Sequence, residues 1–153
     1  MKCLCVSILD LRLSHLTITP NEVTEMKVEV STGIEELKRQ FSASSFTVRE
    51  DGQGGAYVVL EPVSLGSRYG PESTWVGFQI PAQYPYADIY PVFIGAGVTR
   101  VDGVAFTAPV TPGHQFEGRP AIQVSRRSGA AQNGLQKVTA KILKILDFLE
   151  KLP

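Results

Sequence analysis

A chain of 153 residues is long enough to fold as one domain around a single core. Hydrophobic residues make up 43% of it and charged residues 20%, a balance typical of globular proteins and unlike that of disordered ones. The 15 lysines and arginines match the 15 aspartates and glutamates, so the net charge gives no attraction to nucleic acid or to an anionic membrane. We therefore expect no nucleic acid and no membrane among the partners.

Residues 1–30 are predicted to form an N-terminal appendage, and residues 31–153 the main domain. Within the appendage, leucines alternate with polar residues over Leu9–Leu13, which is the pattern of a half-buried strand. Cys3 and Cys5 are too close in sequence to form a useful structural disulfide. Charged residues interrupt the apolar run early, which argues against a secretory signal. A reducing, cytoplasmic location is therefore expected.

A helix is predicted to begin after Ser31 or Thr32, either of which can cap it. Four strands follow, and the first two are separated by the hairpin signal Asp51-Gly52. The predicted strands are Phe46–Glu50, Ala56–Val63, Trp75–Ile80 and Tyr90–Ala96. Glycine and proline then recur between residues 98 and 134, which predicts a long irregular segment.

Residues 135–152 have the clearest helical pattern, because apolar side chains recur there every three or four positions. Four lysines of this segment are expected on the opposite side of the helix, away from the apolar stripe: Lys137, Lys141, Lys144 and Lys151. The order of helix, strands, irregular segment and helix predicts an α+β fold. Its sheet is expected to be a four-stranded antiparallel meander flanked by an N-terminal and a C-terminal helix.

The third predicted strand ends in a proline and is followed by two Tyr-Pro pairs, Tyr84-Pro85 and Tyr90-Pro91. Each proline restricts the residue before it to extended conformations, and the tyrosine rings can brace an irregular crossing between neighbouring strands. This segment resembles the signature of the ubiquitin-conjugating (E2/UBC-like) superfamily, and the order of helix and strands agrees with it. The resemblance implies a UBC-like fold with Tyr84, Pro85 and Pro91 as signature residues.

In that superfamily, a long loop after the fourth strand carries a His-Pro-Asn motif and then, beyond a glycine, the catalytic cysteine. The best match in this chain is Gly118–Ile122, which places Ala121 at the cysteine position. His114 lies upstream but is not part of a His-Pro-Asn motif, and no cysteine occurs after Cys5. Because a thioester needs a thiol nucleophile, the comparison implies a degenerate catalytic position at Ala121.

The polar loop resembles a divergent bacterial branch of the superfamily, prokaryotic E2 family E, through Phe116–Arg119 and Ser125–Arg127. This resemblance implies a component of a bacterial ubiquitin-like system, acting beside a ubiquitin-like protein and an E1-like activating enzyme. Polar residues on a long loop are often functional, and arginine suits acidic or C-terminal carboxylate groups. The candidate binding residues are Arg119, Gln123, Arg126 and Arg127.

Three functions stay open. A non-catalytic module would bind a ubiquitin-like protein or its activating enzyme. An enzyme would instead use a non-cysteine site built around His114 and Ser125, or it would use the N-terminal cysteines. The third is a structural partner without a ubiquitin link. Convergence of His114, Ser125 and Arg126 in one pocket beside Ala121 would favour catalysis, and their separation would favour binding. Two histidines and the pair Cys3 and Cys5 do not supply an ordinary zinc site, so no metal and no cofactor is expected.

Overall fold

The computed structural model of the chain describes residues 23–129 and 135–153. The predicted strand at Leu9–Leu13 and both cysteines lie outside the described residues. The described part contains two helices and eight strands. In chain order they are α1 (Val28–Gln40), β1 (Ser45–Glu50), β2 (Ala56–Ser64), β3 (Tyr69–Gly70), β4 (Ser73–Ile80), β5 (Val92–Gly95), β6 (Thr99–Arg100), β7 (Val110–Phe116), β8 (Arg119–Val124) and α2 (Val138–Glu150).

Six of the strands form one antiparallel sheet in the order β1-β2-β4-β5-β8-β7, and β3 pairs with β6 in a short ribbon. Successive side chains of a strand point to opposite faces of a sheet. One face, which includes Phe78, Ile94 and Ile122, shares a core with Leu37 of α1 and Ile142 of α2. Both helices therefore cover the same face, and they also contact each other.

The predicted α+β class is confirmed, but the prediction of a four-stranded sheet is wrong. The sheet has six strands because the segment 98–134, which was expected to be irregular, contains β7 and β8. The pairing of these two strands shifts between Thr111 and His114, around a Pro-Gly pair that interrupts the alternating pattern. The strands are joined by Glu117-Gly118, whose φ values of 48° and 74° match a two-residue hairpin turn.

Helix α1 begins at Val28, before the predicted caps Ser31 and Thr32 and inside the predicted appendage. Its apolar stripe starts with Val30, which is fully buried, so core packing extends the helix by one turn. The N-cap residue, Lys27, makes no side-chain capping hydrogen bond. Instead the N–H of Lys27 donates a 2.9 Å hydrogen bond to the carbonyl of Gly54, which ties the start of the helix to the β1–β2 turn.

The last turn of α2 is held by residues of the β3–β6 ribbon and the loop before it. Arg68 donates hydrogen bonds of 2.6 Å to the carbonyl oxygens of Glu150 and Leu152, and the hydroxyl of Tyr69 donates to the carbonyl of Leu149. The last carbonyls of a helix have no partner within the helix, and a cation beside them is favourable. The C-terminal end of α2 is thereby fixed against the β3–β6 ribbon.

The opposite face of the sheet carries no helix among the described residues and is covered by its own side chains. Four rings pack across it, and we call them the aromatic face: Tyr57, Trp75, Phe93 and Phe116. The rings of Phe93 and Phe116 stack with centroids 4.9 Å apart. Gly77, in the middle strand β4, leaves the space that the Phe116 ring fills.

Two arginines lie over the aromatic face, and each is paired with a glutamate. Arg49 lies 4.4 Å from the centre of the Tyr57 ring and donates to both carboxylate oxygens of Glu117, at 2.8 and 2.7 Å. Arg119 lies 4.9 Å from the centre of the Trp75 ring and donates to Glu61 at 2.9 Å. Both guanidinium groups stack on rings and form a salt bridge with a glutamate, so they shield the aromatic face from solvent.

We expect Gly77→Ala to destabilise the protein by about 2 kcal/mol, because overpacking a close-packed cluster forces rings or backbone to move. A Cβ atom at this position would lie 2.6 Å from the Phe116 ring and 3.0 Å from the Trp75 ring. Urea unfolding followed by tryptophan fluorescence measures the loss. The matched control is Gly97→Ala, whose Cβ would meet nothing within 4 Å. Equal stability of the two variants would contradict the tight fit at Gly77.

Candidate functional site

The segment that carries the two Tyr-Pro pairs links β4 to β5 and packs against the start of α2. The Tyr84 hydroxyl accepts a hydrogen bond of 3.3 Å from the N–H of Val138, and the Tyr84 ring lies against Gly33 of α1. The N–H of Gln136 donates to the carbonyl of Pro85 at 2.7 Å. The N-cap residue of α2, Lys137, makes no side-chain capping hydrogen bond. The Tyr-Pro segment therefore supplies the acceptor for a backbone N–H of the first turn of α2, that of Val138.

Next to these contacts lies an ion pair between Asp88 of the same segment, whose side chain is 20% exposed, and the buried Lys141 of α2. The ammonium nitrogen of Lys141 is 2.9 and 3.1 Å from the two Asp88 carboxylate oxygens, and the Lys141 side chain is only 5% exposed. Lys141 also donates to the carbonyl oxygen of Arg126 at 2.8 Å and to the Ser128 hydroxyl at 3.3 Å. Ser128 in turn donates its N–H and its hydroxyl to Asp88, at 2.8 and 2.9 Å.

Hydrogen bonding determines the ionisation of Asp88. Burial alone would raise the pKa of this carboxyl, but hydrogen bonds from the Ser128 N–H, the Lys141 ammonium and the Ser128 hydroxyl outweigh burial, and the pKa of Asp88 is lowered. Asp88 is therefore a carboxylate at neutral pH, and its charge is balanced by Lys141. The pair contributes no net charge to its surroundings.

A pocket of about 280 Å³ opens beside this ion pair, and we call it the basic pocket. Four cations line it: Arg126, Arg127, Lys141 and Lys144. The Arg126 guanidinium stacks 4.4 Å from the centre of the Phe148 ring, and that of Arg127 stacks 4.0 Å from the centre of the Tyr90 ring. Stacking occupies the flat faces of a guanidinium and leaves its in-plane N–H groups for other partners.

Among the residues that the structure describes, no carboxylate lies within salt-bridge distance of Arg126, Arg127 or Lys144. The guanidinium groups of Arg126 and Arg127 also donate no hydrogen bond to any of the described residues. The fourth cation of the pocket, Lys141, is already neutralised by Asp88, which does not itself line the pocket. The arrangement is therefore a concave, positively charged surface suited to an anion.

The predicted binding residues divide between two places. Arg126 and Arg127 line the basic pocket, as a shared binding surface requires. Arg119 lies on the aromatic face, engaged with Trp75 and Glu61, and Gln123 donates to the Ser125 hydroxyl at 2.6 Å. The structure therefore does not bring the four residues together.

The prediction of Lys141 on the solvent side of the C-terminal helix is wrong. Lys141 lies three residues after Val138 and four before Ile145, both buried, so it belongs to the apolar stripe of the helix. A lysine at a buried position needs a partner of opposite charge. The helical spacing of Lys141 from Val138 and Ile145 was therefore the feature of the sequence that could have indicated a buried ion pair. Asp88, that partner, lies within the Tyr-Pro segment.

The candidate catalytic residues His114 and Ser125 also lie apart. His114 is opposite Ala121 in the β7–β8 pairing, and Ser125 follows four residues after Ala121, which is about 13 Å along a strand. This separation exceeds hydrogen-bond reach. The imidazole of His114 contacts the Thr111 hydroxyl at 3.2 Å, and Ala121 is 1% exposed within β8. Neither His114 nor Ser125 lines the basic pocket.

No protein-family model, no curated protein and no solved structure matches this chain. The resemblance to ubiquitin-conjugating proteins therefore rests on the residues of the chain alone and stays a prediction. Within the described residues, no helix has the length and apolar character to cross a membrane. Across residues 23–129 and 135–153, no three histidine, cysteine, aspartate or glutamate side chains are grouped as metal ligands would be.

Replacing Asp88 with asparagine should destabilise the protein by about 3 kcal/mol at pH 7, because it leaves the buried Lys141 charge unpaired. The pKa of Asp88 is lowered from 3.8, so its stabilising contribution is present above pH 3.8 and is lost as the pH falls through the folded-state pKa. The difference from wild type should therefore stay constant from pH 7 to about pH 5 and shrink towards pH 3.

Urea unfolding at a series of pH values measures this dependence. Asp147→Asn is the matched control, since it breaks the Asp147–Lys151 pair of the same helix, whose side chains are 58% and 71% exposed. Exposed pairs contribute little, so this variant should lose less than about 1 kcal/mol at every pH. A loss in Asp88→Asn that did not change down to pH 3 would show that the carboxylate charge has no role in stability.

Proposed function

We propose that the protein is an E2-like, non-catalytic component of a bacterial ubiquitin-like modification system, and that it binds a ubiquitin-like protein or its activating enzyme. The observation that carries the proposal is the basic pocket, where Arg126 and Arg127 are held in place by stacking and have no carboxylate partner among the described residues. Pre-positioned charged groups lose little conformational entropy when they bind, so this surface is suited to an acidic group of a partner protein.

The arrangement of the elements supports the E2-like part of the proposal. A helix precedes an antiparallel run of β1, β2, β4 and β5, and the Tyr-Pro segment crosses between β4 and β5. The β7–β8 hairpin lies at the chain positions where the resemblance would put the catalytic loop. We therefore propose a divergent E2-like module in which only the first elements keep a UBC-like order. We propose that it acts in the reducing cytoplasm.

The separation of His114 from Ser125 favours binding over catalysis, since a base must lie within hydrogen-bond reach of the proton it takes. Ala121, at the degenerate cysteine position, is buried in a paired strand. The alternative is an enzyme of the same system with a site around His114 and Ser125. It would require these two residues to be brought together by a change in the β7–β8 pairing.

The proposal is tested with the ubiquitin-like protein and E1-like enzyme encoded in the same genome. We expect wild-type protein to bind one of them in isothermal titration, and Arg126→Gln and Arg127→Gln each to weaken binding about tenfold, because each removes a charge-assisted contact. Arg39→Gln is the control, since it removes one exposed cation from α1, away from the pocket. Equal weakening by Arg39→Gln would show general charge attraction and no specific site.

A second measurement addresses catalysis. After incubation with the activating enzyme, ATP and the ubiquitin-like protein, a non-reducing gel should show no conjugate on this chain, since Ala121 offers no thiol. A reducible conjugate that is lost on Cys3→Ala or Cys5→Ala would refute the non-catalytic part of the proposal. A conjugate that resists thiol but is cleaved by hydroxylamine, and is lost on Ser125→Ala, would favour the enzyme alternative.

A further inference from the structure

We propose that the group the basic pocket binds is a phosphoryl group in its dianionic form. The proposal deepens the function given above, because it rests on the pocket being a binding site for an anionic group of a partner and names the chemistry of that group. It concerns only the residues around the pocket and requires no contact on the aromatic face.

The balance of charge at the pocket is the first argument. Lys141 is neutralised by Asp88, and the three cations left over are Arg126, Arg127 and Lys144. A single carboxylate would balance one of these three charges and would be satisfied by one arginine in a bidentate contact. A phosphoryl dianion balances two of them, with a charge of about −1.5 to −2 at pH 7, and presents three strong acceptor oxygens.

The positions of the donors are the second argument. Arg126 stacks on Phe148 of α2, whereas Arg127 stacks on Tyr90, just before β5. Lys144 reaches the pocket from α2, one helical turn after Lys141. The three cations are therefore positioned by two elements, with Arg126 and Lys144 on the α2 side and Arg127 on the side of the segment before β5. A tetrahedral group can accept from donors in several directions, whereas the oxygens of a carboxylate lie in one plane.

The rigidity of the pocket base is the third argument. The carbonyl oxygen of Arg126 accepts from the Lys141 ammonium, and Ser128 is held by two hydrogen bonds to Asp88. The backbone that carries both arginines is thus fixed by a buried ion pair before any ligand arrives. A site whose donors are already in position binds an anion with a smaller loss of entropy.

The size of the pocket indicates how much of a ligand it holds. Its volume of about 280 Å³ is just below the roughly 300–1,000 Å³ of pockets that enclose a whole drug-sized ligand. The pocket therefore fits a small charged group at the end of a larger ligand. A phosphorylated side chain and a free phosphate ion share this chemistry.

The test uses isothermal titration with inorganic phosphate and with three capped peptides, acetyl-Gly-X-Gly-amide, in which X is serine, glutamate or phosphoserine. We expect saturable binding of the phosphoserine peptide, at least tenfold weaker binding of the glutamate peptide, and none of the serine peptide. Tighter binding of the phosphoserine peptide than of inorganic phosphate supports a phosphorylated side chain as the ligand, and the reverse order supports the free ion. Equal binding of the glutamate and phosphoserine peptides would overturn the proposal.

Variants and pH locate the site. Arg126→Gln, Arg127→Gln and Lys144→Gln should each weaken binding of the phosphoserine peptide about tenfold, and Arg39→Gln should leave it unchanged. The charged groups that line the pocket are its four cations, and Asp88 lies behind them as the ion-pair partner of Lys141. The Tyr90 ring lies behind Arg127. Binding should strengthen between pH 5 and 7.5, because the phosphate loses its second proton over this range, with a pKa of about 6.

Binding that weakens equally in Arg39→Gln, or that does not change between pH 5 and 7.5, would overturn the phosphoryl assignment. The results that would refute the proposed function differ from those that would refute the phosphoryl assignment. If the phosphoserine peptide binds as expected but neither the ubiquitin-like protein nor the activating enzyme binds, the phosphoryl site stands and the ubiquitin link is refuted. If a partner protein binds through Arg126 and Arg127 while no phosphorylated probe does, the binding function stands and the phosphoryl assignment is refuted.

Discussion

The buried ion pair between Asp88 and Lys141 connects three parts of the chain that are distant in sequence. It joins residues 53 positions apart, and Lys141 also reaches the carbonyl oxygen of Arg126, 15 positions before it. Removing two charges from water is costly, and the cost is offset only when the remaining hydrogen-bonding groups are satisfied. Ser128 and the Arg126 carbonyl satisfy them here. The Tyr-Pro segment, α2 and the chain after β8 therefore meet at one point, and that point sets the positions of Arg126 and Arg127.

Arginines have two different roles on the two sides of the sheet. Arg49 and Arg119 stack on rings of the aromatic face and are each paired with a glutamate, so they cover a sheet face that no described helix protects. Arg126 and Arg127 stack on rings in the same way but have no carboxylate partner among the described residues. The stacking fixes the guanidinium group in both cases. The presence or absence of a glutamate decides whether its charge is used within the fold or is available to a ligand.

Local signals in the sequence were sufficient for the elements with a regular pattern. The hairpin at Asp51-Gly52 and the C-terminal helix were predicted close to their observed bounds, because alternation and helical spacing are uninterrupted there. The β7–β8 hairpin was missed, since Pro112 and Gly113 lie at its register shift and obscure the alternation. Of the pocket, Arg126 and Arg127 were predicted. Its buried ion pair was not, because which distant residues form a pair depends on the tertiary packing.

The absence of a thiol at Ala121 is not the only obstacle to thioester chemistry at this position, because the backbone around it is paired in the sheet. Ala121 pairs with Gly95 of β5 on one side and with His114 of β7 on the other, and it is 1% exposed. A cysteine introduced there would point to the aromatic face, where apolar surroundings raise the pKa of a thiol and lower its reactivity. An incoming thioester must also reach the sulfur, and a residue inside a paired, covered strand does not allow this. A cysteine placed at position 121 would therefore not form a thioester, because it would lie inside a paired and covered strand and not on an exposed loop.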